Sequence, residues 1–233
     1  MFFIFLFLVV VGVVLYFILF SPQFQVTAVE IYGNEKVKSE DIEGLIVLAA
    51  SNRIFLINRD KLQNKILSKF PAIESAVVKK KFPHTIVLTV KEREIFMTFC
   101  TSQKLNSCFH MDMNGIIFEP SQDIPVGSMI VIKKPDGTIS LGTEAVGKNI
   151  IVMISRIEND LKSNFQIGVK EAVISNYLII KTSEGWQIYF DPTADIDLQI
   201  AKINILLKDK ISPEDRKKIQ YIYLQYQDRA YYK

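Results

Sequence analysis

The first pattern along the chain is an unbroken apolar run. Phe2 to Phe20 read FFIFLFLVVVGVVLYFILF, and Gly12 alone falls outside the hydrophobic set. As a helix this run reaches about 28 Å, against a hydrocarbon core of about 30 Å. It therefore predicts a transmembrane helix over residues 2–20. A signal peptide would carry a basic leader, a shorter apolar core and a small-residue cleavage site. Here no Lys or Arg precedes the run, and Ser21-Pro22-Gln23 follows it. Local charge says little about orientation. Glu30 is the first charge after the run, and Lys36 and Lys38 are balanced by Glu35 and Glu40.

Beyond the run the patterning becomes that of a folded, water-soluble chain. Val26 to Tyr32 is rich in β-branched and aromatic residues and stops at Gly33-Asn34, a strand and a turn. Ser39, as a cap, precedes Glu40 and Asp41, and Ile42, Leu45, Ile46 and Ala49 share one helical face. A second helix opens at Asn58, with Ile57 and Leu62 placed to form a hydrophobic staple. Leu62, Ile66 and Phe70 continue its apolar face until Pro71. Two strands follow, Ala76 to Phe82 and Thr85 to Lys91, joined at Pro83-His84. The order over about 70 residues is β-α-α-β-β, an ordinary length for one small domain.

From Glu94 onward strands dominate. Phe96 to Cys100 and Cys108 to Met111 flank a polar loop, and Asp112-x-Asn114-Gly115 turns into Ile116 to Phe118. Pro135-Asp136-Gly137 and Ser183-Glu184-Gly185 are hairpin signals. Ile150, Ile154, Ile157 and Leu161 share one helical face, and Ile196, Ile200, Ile203 and Leu207 share another. The chain closes on a strand-like run, Tyr221 to Tyr226. The pattern predicts an α+β protein: a transmembrane helix over 2–20, a first domain over 24–93, and an antiparallel β-sheet domain with flanking helices over 94–233.

Composition supports this division. Apolar residues make up 49% of 233, and removing the first 20 residues lowers the fraction to roughly 45%, an ordinary globular value. With 28 basic and 25 acidic side chains the net charge is +3, which argues against nucleic acid as the main partner. Chemistry-bearing motifs are few. Cys108-x-His110 is at most half a metal site, since zinc wants three or four ligands. Asp112-x-Asn114 is similar to a calcium loop without its closing bidentate Glu. The chain contains no G-x-S-x-G, P-loop or G-x-G-x-x-G. Scattered carboxylates leave a paired acid and base open. Lys79-Lys80-Lys81 reads either as a solvated strand that blunts a sheet edge or as a docking patch or a contact for anionic lipid head groups.

Phe24-x-Val26-x-x-Val29-x-Ile31-x-Gly33-Asn34 with Ser39-x-x-Ile42 resembles the start of a POTRA domain of the FtsQ/DivIB family. The run from Phe70-Pro71 through Phe82-Pro83-x-Thr85-Ile86 to Val90-x-Glu92-Arg93 resembles it most specifically. Asp112 to Phe118 is similar to the family's D-x-x-G-x-x-F turn, and Pro125 with Gly127 to a loose form of its P-x-x-x-G loop. Ile222 to Tyr226, with Asp228-Arg229 and Tyr231-Tyr232-Lys233, resembles the closing strand and tail, with Tyr223 and Gln225 where the family has Asp and Arg. The resemblance implies a non-enzymatic scaffold of the bacterial division septum, in the inner or cell membrane, with N-terminus cytoplasmic and bulk outside. It implies partners of the FtsB/DivIC and FtsL type, a link to septal peptidoglycan synthesis, and no cofactor, metal or small-molecule substrate. An anchored extracytoplasmic enzyme or ligand-binding domain is the alternative. A POTRA carrier for outer-membrane barrel assembly fits less well, given the single POTRA unit and the anchor.

The resemblance also implies the partner site. In the family the last strand and tail receive FtsB by strand addition. Tyr226 matches the contact tyrosine, with Arg229, Tyr231 and Tyr232 as neighbours and Tyr223 and Gln225 on the strand itself. The alternative is a central strand that buries its tyrosines. In an oxidising compartment Cys100 and Cys108, flanking a loop, are expected disulfide partners, or else apolar strand residues that face opposite ways. Strand register decides between these.

Overall fold

The computed structural model describes residues 2–49, 53–101, 107–122, 129–133, 138–226 and 229–233, with the side chains of 15, 18–20 and 49 outside that description. Pro125, Gly127, Pro135-Asp136-Gly137 and Asp228 lie outside the described residues. The chain divides into two compact units, Met1–Arg93 and Glu94–Lys233.

The first unit begins with α1 (Phe2–Phe20), a helix without a charged residue. Among the described residues no helix is long and apolar enough to cross a membrane. The unbroken stretch of described side chains in α1 covers residues 2–14, about 20 Å of helix and short of the ~30 Å core. The transmembrane expectation is therefore not met by the described residues alone.

Next come β1 (Ala28–Tyr32), α2 (Ser39–Ala49), α3 (Arg59–Lys69), β2 (Ile73–Lys81) and β3 (Thr85–Glu92). The order is the β-α-α-β-β read from periodicity. Asn58 caps α3, its side chain accepting from the Lys61 amide at 3.0 Å. Ser39 is not a flanking cap: it lies within α2, and its hydroxyl accepts from the Asn34 carboxamide at 2.9 Å. The sheet runs β1-β3-β2, with β1 parallel to β3 and β2 antiparallel to it. Ile42, Ile46, Leu62 and Ile66 from the helices pack with Ile73, Val78, Ile86, Leu88 and Val90 from the sheet.

Two features of this unit explain its most specific motif residues. Gly33 sits at φ +83°, and a Cβ there would lie 2.2 Å from the Val90 carbonyl oxygen. A side chain would be both strained and obstructed. Glu92 closes the same corner: its carboxylate accepts from the backbone amides of Glu35, Lys36 and Val37 at 2.9–3.1 Å. Burial works to raise its pKa, but those amides outweigh it and hold the carboxyl below its ordinary value. Arg93 ties the exit of β3 to the end of α3, its Nε donating to the Pro71 carbonyl at 3.0 Å and its amide to Ala72 at 2.7 Å.

The second unit comprises β4 (Met97–Cys100), β5 (Cys108–Met111), β6 (Ile117–Pro120), β7 (Ile130–Lys133), α4 (Lys148–Phe165), β8 (Val169–Ile174), β9 (Leu178–Thr182), β10 (Gln187–Phe190), α5 (Ile196–Ile205), β11 (Tyr221–Tyr223) and β12 (Tyr231–Tyr232). Its nine-stranded sheet runs β12-β11-β10-β9-β8-β7-β4-β5-β6. This corrects the antiparallel expectation, because β4–β7, β7–β8 and β10–β11 are parallel. Parallel neighbours need a crossover, and α4 and α5 supply two of them. Both crossovers step the same way along the sheet from strands of the same orientation. A common right-handed sense then places both helices on one face. Ile151, Ile154, Ile157 and Leu161 of α4 and Ile203 of α5 accordingly share one core with Phe99, Val131, Ile180, Ile188, Phe190 and Ile222. By the two-residue period of a strand, Thr98, Cys100, Ile132, Lys181, Tyr189, Tyr221 and Tyr223 take the opposite face.

Candidate functional site

The C-terminal end of the sheet gathers the tyrosines. β10 and β11 pair in parallel, Gln187 with Tyr221 and Tyr189 with Tyr223. Ile222 and Leu224 point into the core, so Tyr221 and Tyr223 share the other face with Tyr189. The Tyr223 ring lies 4.5 Å from that of Tyr189 and 4.7 Å from that of Tyr221, centroid to centroid. Burial raises the Tyr223 phenol pKa, and the neighbouring phenols of Tyr189, Tyr221 and Tyr226 add to the effect.

The chain then turns back as β12, antiparallel to β11, with Tyr223 opposite Tyr231 and Ile222 opposite Tyr232. Tyr226 and Tyr231 meet edge to face at 5.4 Å. Both are 48% exposed and Tyr232 is 51% exposed, so about half of each ring is presented to solvent. The Tyr226 carbonyl accepts from Lys202 Nζ at 2.8 Å, which pins the turn to α5. Gln225 Oε1 is buried with no hydrogen-bond partner among the described residues. Arg229 is exposed.

The expected strand Tyr221 to Tyr226 is therefore shorter, and it does not form the edge. It ends at Tyr223: the Leu224 amide still bonds the Tyr189 carbonyl at 3.0 Å, and beyond it the Tyr226 carbonyl turns to Lys202. The edge is β12, and among the described residues no strand pairs with its outer side. Tyr221 and Lys233 exchange both backbone hydrogen bonds. By antiparallel alternation the Tyr232 amide and carbonyl then point outward. Sequence reasoning missed Tyr189 and Lys202. Tyr189 alternates with Ile188 and Phe190 after the Ser183-Glu184-Gly185 turn, a signal that could have found it. Lys202 carries no such signal, because its acceptor lies 24 positions away.

Cys100 and Cys108 are register partners on β4 and β5 and are bonded, with S–S 2.00 Å and Cα atoms 4.2 Å apart. The Cys108 sulfur is thereby committed and cannot pair with His110 as a metal ligand. His110 stacks at 6.4 Å from Phe118. Asp112 Oδ1 accepts from the Asn114 and Ile116 amides at 2.9 Å each. This carboxylate shapes the turn. At the same turn Gly115 has φ +79°, and a Cβ would lie 1.8 Å from the Val146 carbonyl oxygen. Among the described residues no group of three or more His, Cys, Asp or Glu could hold a metal. An open cleft of about 580 Å³ is lined by Asn164, Phe165, Asn204, Ile205, Lys208 and Asp209. It presents a single carboxylate, which is not an acid–base pair. Burial raises the pKa of Glu158 on α4 against the opposing charge of Lys162, but Glu158 does not line this cleft.

Comparison with known proteins matches residues 24–93 to the POTRA domain, FtsQ-type. Cell division protein DivIB of Clostridium tetani (strain Massachusetts / E88) is 26% identical over 195 residues, covering 81% of this chain and 72% of that protein. Cell division protein DivIB of Clostridium acetobutylicum is 29% identical over 137 residues, 59% of this chain and 52% of that protein. Cell division protein DivIB of Clostridium botulinum (strain Loch Maree / Type A3) is 24% identical over 218 residues, 92% of this chain and 77% of that protein. The FtsQ-type POTRA domain matched over residues 24–93 and the DivIB relatives matched over most of the chain together support the FtsQ/DivIB family for this protein.

Proposed function

We propose that this protein is a non-enzymatic scaffold of the bacterial division septum, anchored by α1 as a single span with its bulk outside the cytoplasm. The uncharged helix Phe2–Phe20 supports the anchor, and the names of the relatives support the division role. Its partners are bitopic division proteins of the FtsB/DivIC and FtsL type, which it links to septal peptidoglycan synthesis. The observation that carries this reading is the outer side of β12, which pairs with no strand among the described residues and is flanked by half-exposed Tyr226, Tyr231 and Tyr232. Such an edge templates an incoming strand through its backbone, and tyrosines add contact area with a polar tip.

The test is a binding titration of the extracytoplasmic segment of a DivIC-like partner against three forms of the protein, each paired with a thermal melt. Tyr226→Ala should weaken binding by about 1–2 kcal/mol, a hot-spot magnitude, and leave the melt near that of the parent. Tyr232→Pro removes an amide that serves no internal pair among the described residues, so it should weaken binding while sparing the fold. Unchanged affinity in both variants would refute the edge. A collapsed melt for Tyr226→Ala would instead assign that tyrosine to the fold.

A further inference from the structure

One end of the first unit carries an apolar and basic patch that partner binding at β12 leaves unused. Phe24 packs on Phe55 at 4.8 Å between ring centroids, and Phe55 on Phe82 at 5.2 Å. The outer members are open to solvent: Leu56 is 65% and Phe82 56% exposed. Single exposed apolar residues are ordinary, but a contiguous aromatic and aliphatic patch marks a contact site. Lys80 reaches over it, its Nζ donating to the Phe55 carbonyl at 3.2 Å. Arg59 stands close enough to disfavour the Lys80 charge further, after burial. Among the described residues neither cation is in an ion pair with a carboxylate.

The position of this patch along the chain says what covers it. The Ser21 amide still bonds the Phe17 carbonyl in α1, and a short 3-10 turn, Pro22–Phe24, follows at once. Gln25 then forms a bridge with Arg53, next to Ile54–Leu56, and the Thr27 amide bonds the His84 carbonyl at 3.1 Å, next to Phe82. The residues that leave α1 are thus stitched to the two loops that present the patch. Four residues from Phe20 to Phe24 span at most about 14 Å. A helix that ends at a bilayer surface therefore tethers this patch close to the head groups.

We propose that Phe55, Leu56 and Phe82, with Arg59 and Lys80, form a second membrane contact that seats the first unit on an anionic bilayer surface. This rests on the reading of α1 as the anchor. The aromatic and leucine side chains enter the interfacial zone, and the two cations meet lipid phosphates, which relieves their mutual repulsion. Lys80, the middle residue of the basic triplet, takes the lipid role. Lys81 is held by Glu30 at 2.7 Å and serves the fold.

The experiment uses the full chain in lipid nanodiscs. Leu56→Trp, and separately Phe82→Trp, place a reporter on the patch, and the buried Trp186 of the parent supplies a constant background. Acyl chains brominated near the head group should quench most of the reporter emission in discs rich in phosphatidylglycerol. Adding Arg59→Glu and Lys80→Glu should lower the ratio of quenched to unquenched reporter at least about tenfold, as expected for losing two surface cations. Emission that stays bright in anionic discs that hold the chain would overturn the contact and leave the anchor standing. Equal quenching in anionic and zwitterionic discs, unmoved by the charge reversals, would overturn the assignment to an anionic surface. A chain that does not enter discs would overturn both the anchor and this contact.

Discussion

At the scale of the residue, a few side chains hold corners that hydrophobic burial alone does not define. Glu92 is the clearest, because one carboxylate satisfies three consecutive amides at the entry to α2. Its folded pKa lies below the ordinary value. It therefore adds stability that is fully present above the unfolded pKa, about 4.3, and is lost as pH falls through the folded value. Glu92→Gln keeps the shape and removes the charge. It should cost about 1–3 kcal/mol at neutral pH, and the gap from the parent should shrink in denaturant melts below about pH 4. A gap that does not change with pH would assign the loss to geometry rather than to charge. Gly33 and Gly115 act through space instead, since each lies against a carbonyl where a Cβ has no room.

At the scale of the element, register does what spacing cannot. Cys100 and Cys108 pair because β4 and β5 are in register from Met97–Met111 down to Cys100–Cys108. Thr101 donates to Ser107 at 3.1 Å, so the bonded cysteines occupy the adjoining, closer pair. Cys100 is fully buried, with Ile132 beside it on the face away from α4. Closing so short a loop stabilises by about 2–3 kcal/mol through the unfolded chain. Cys100→Ser with Cys108→Ser should lower the chemical-denaturation midpoint accordingly. A reductant should shift the parent to the same midpoint and leave the variant unmoved. A parent indifferent to reductant would contradict the bridge. The edge element β12 is only two residues long, as exposed sheet edges often are.

At the scale of the whole molecule, each unit has its own large hydrophobic cluster among the described residues. One gathers residues 42–90 and the other residues 97–224. Each buries its own helices against its own sheet, so each can unfold as a unit. Calorimetry should resolve two transitions. Gly33→Ala should lower one of them by several degrees, in keeping with about 2–4 kcal/mol of strain, and the Cys100→Ser, Cys108→Ser pair should lower the other. A single transition that both changes move together would show that the units unfold as one. The same division separates the proposed tasks: the lipid contact draws on the loops around Phe55 and Phe82, and the partner edge on β12.

What the sequence determined by itself is local. Helical periodicity marked α2, α3 and α4, the Asn58 cap and the run to Glu92-Arg93 marked the first domain, and Asp112-x-Asn114-Gly115 marked a turn. Each depends on residues a few positions apart, so each is written in spacing. The tertiary structure decided the rest, because it joins distant residues. Parallel pairing of β4 with β7 and of β10 with β11 turned an expected antiparallel sheet into a mixed one. β11 stopped at Tyr223, Lys202 held the turn beyond it at the Tyr226 carbonyl, and β12 took the edge assigned to Tyr221–Tyr226. Tyr223 met Tyr189 only through a crossover over α5. A strand has the same two-residue period at an edge as in the centre, so alternation shows which face is buried. It cannot show which neighbour pairs, and the pairing decides where the sheet ends.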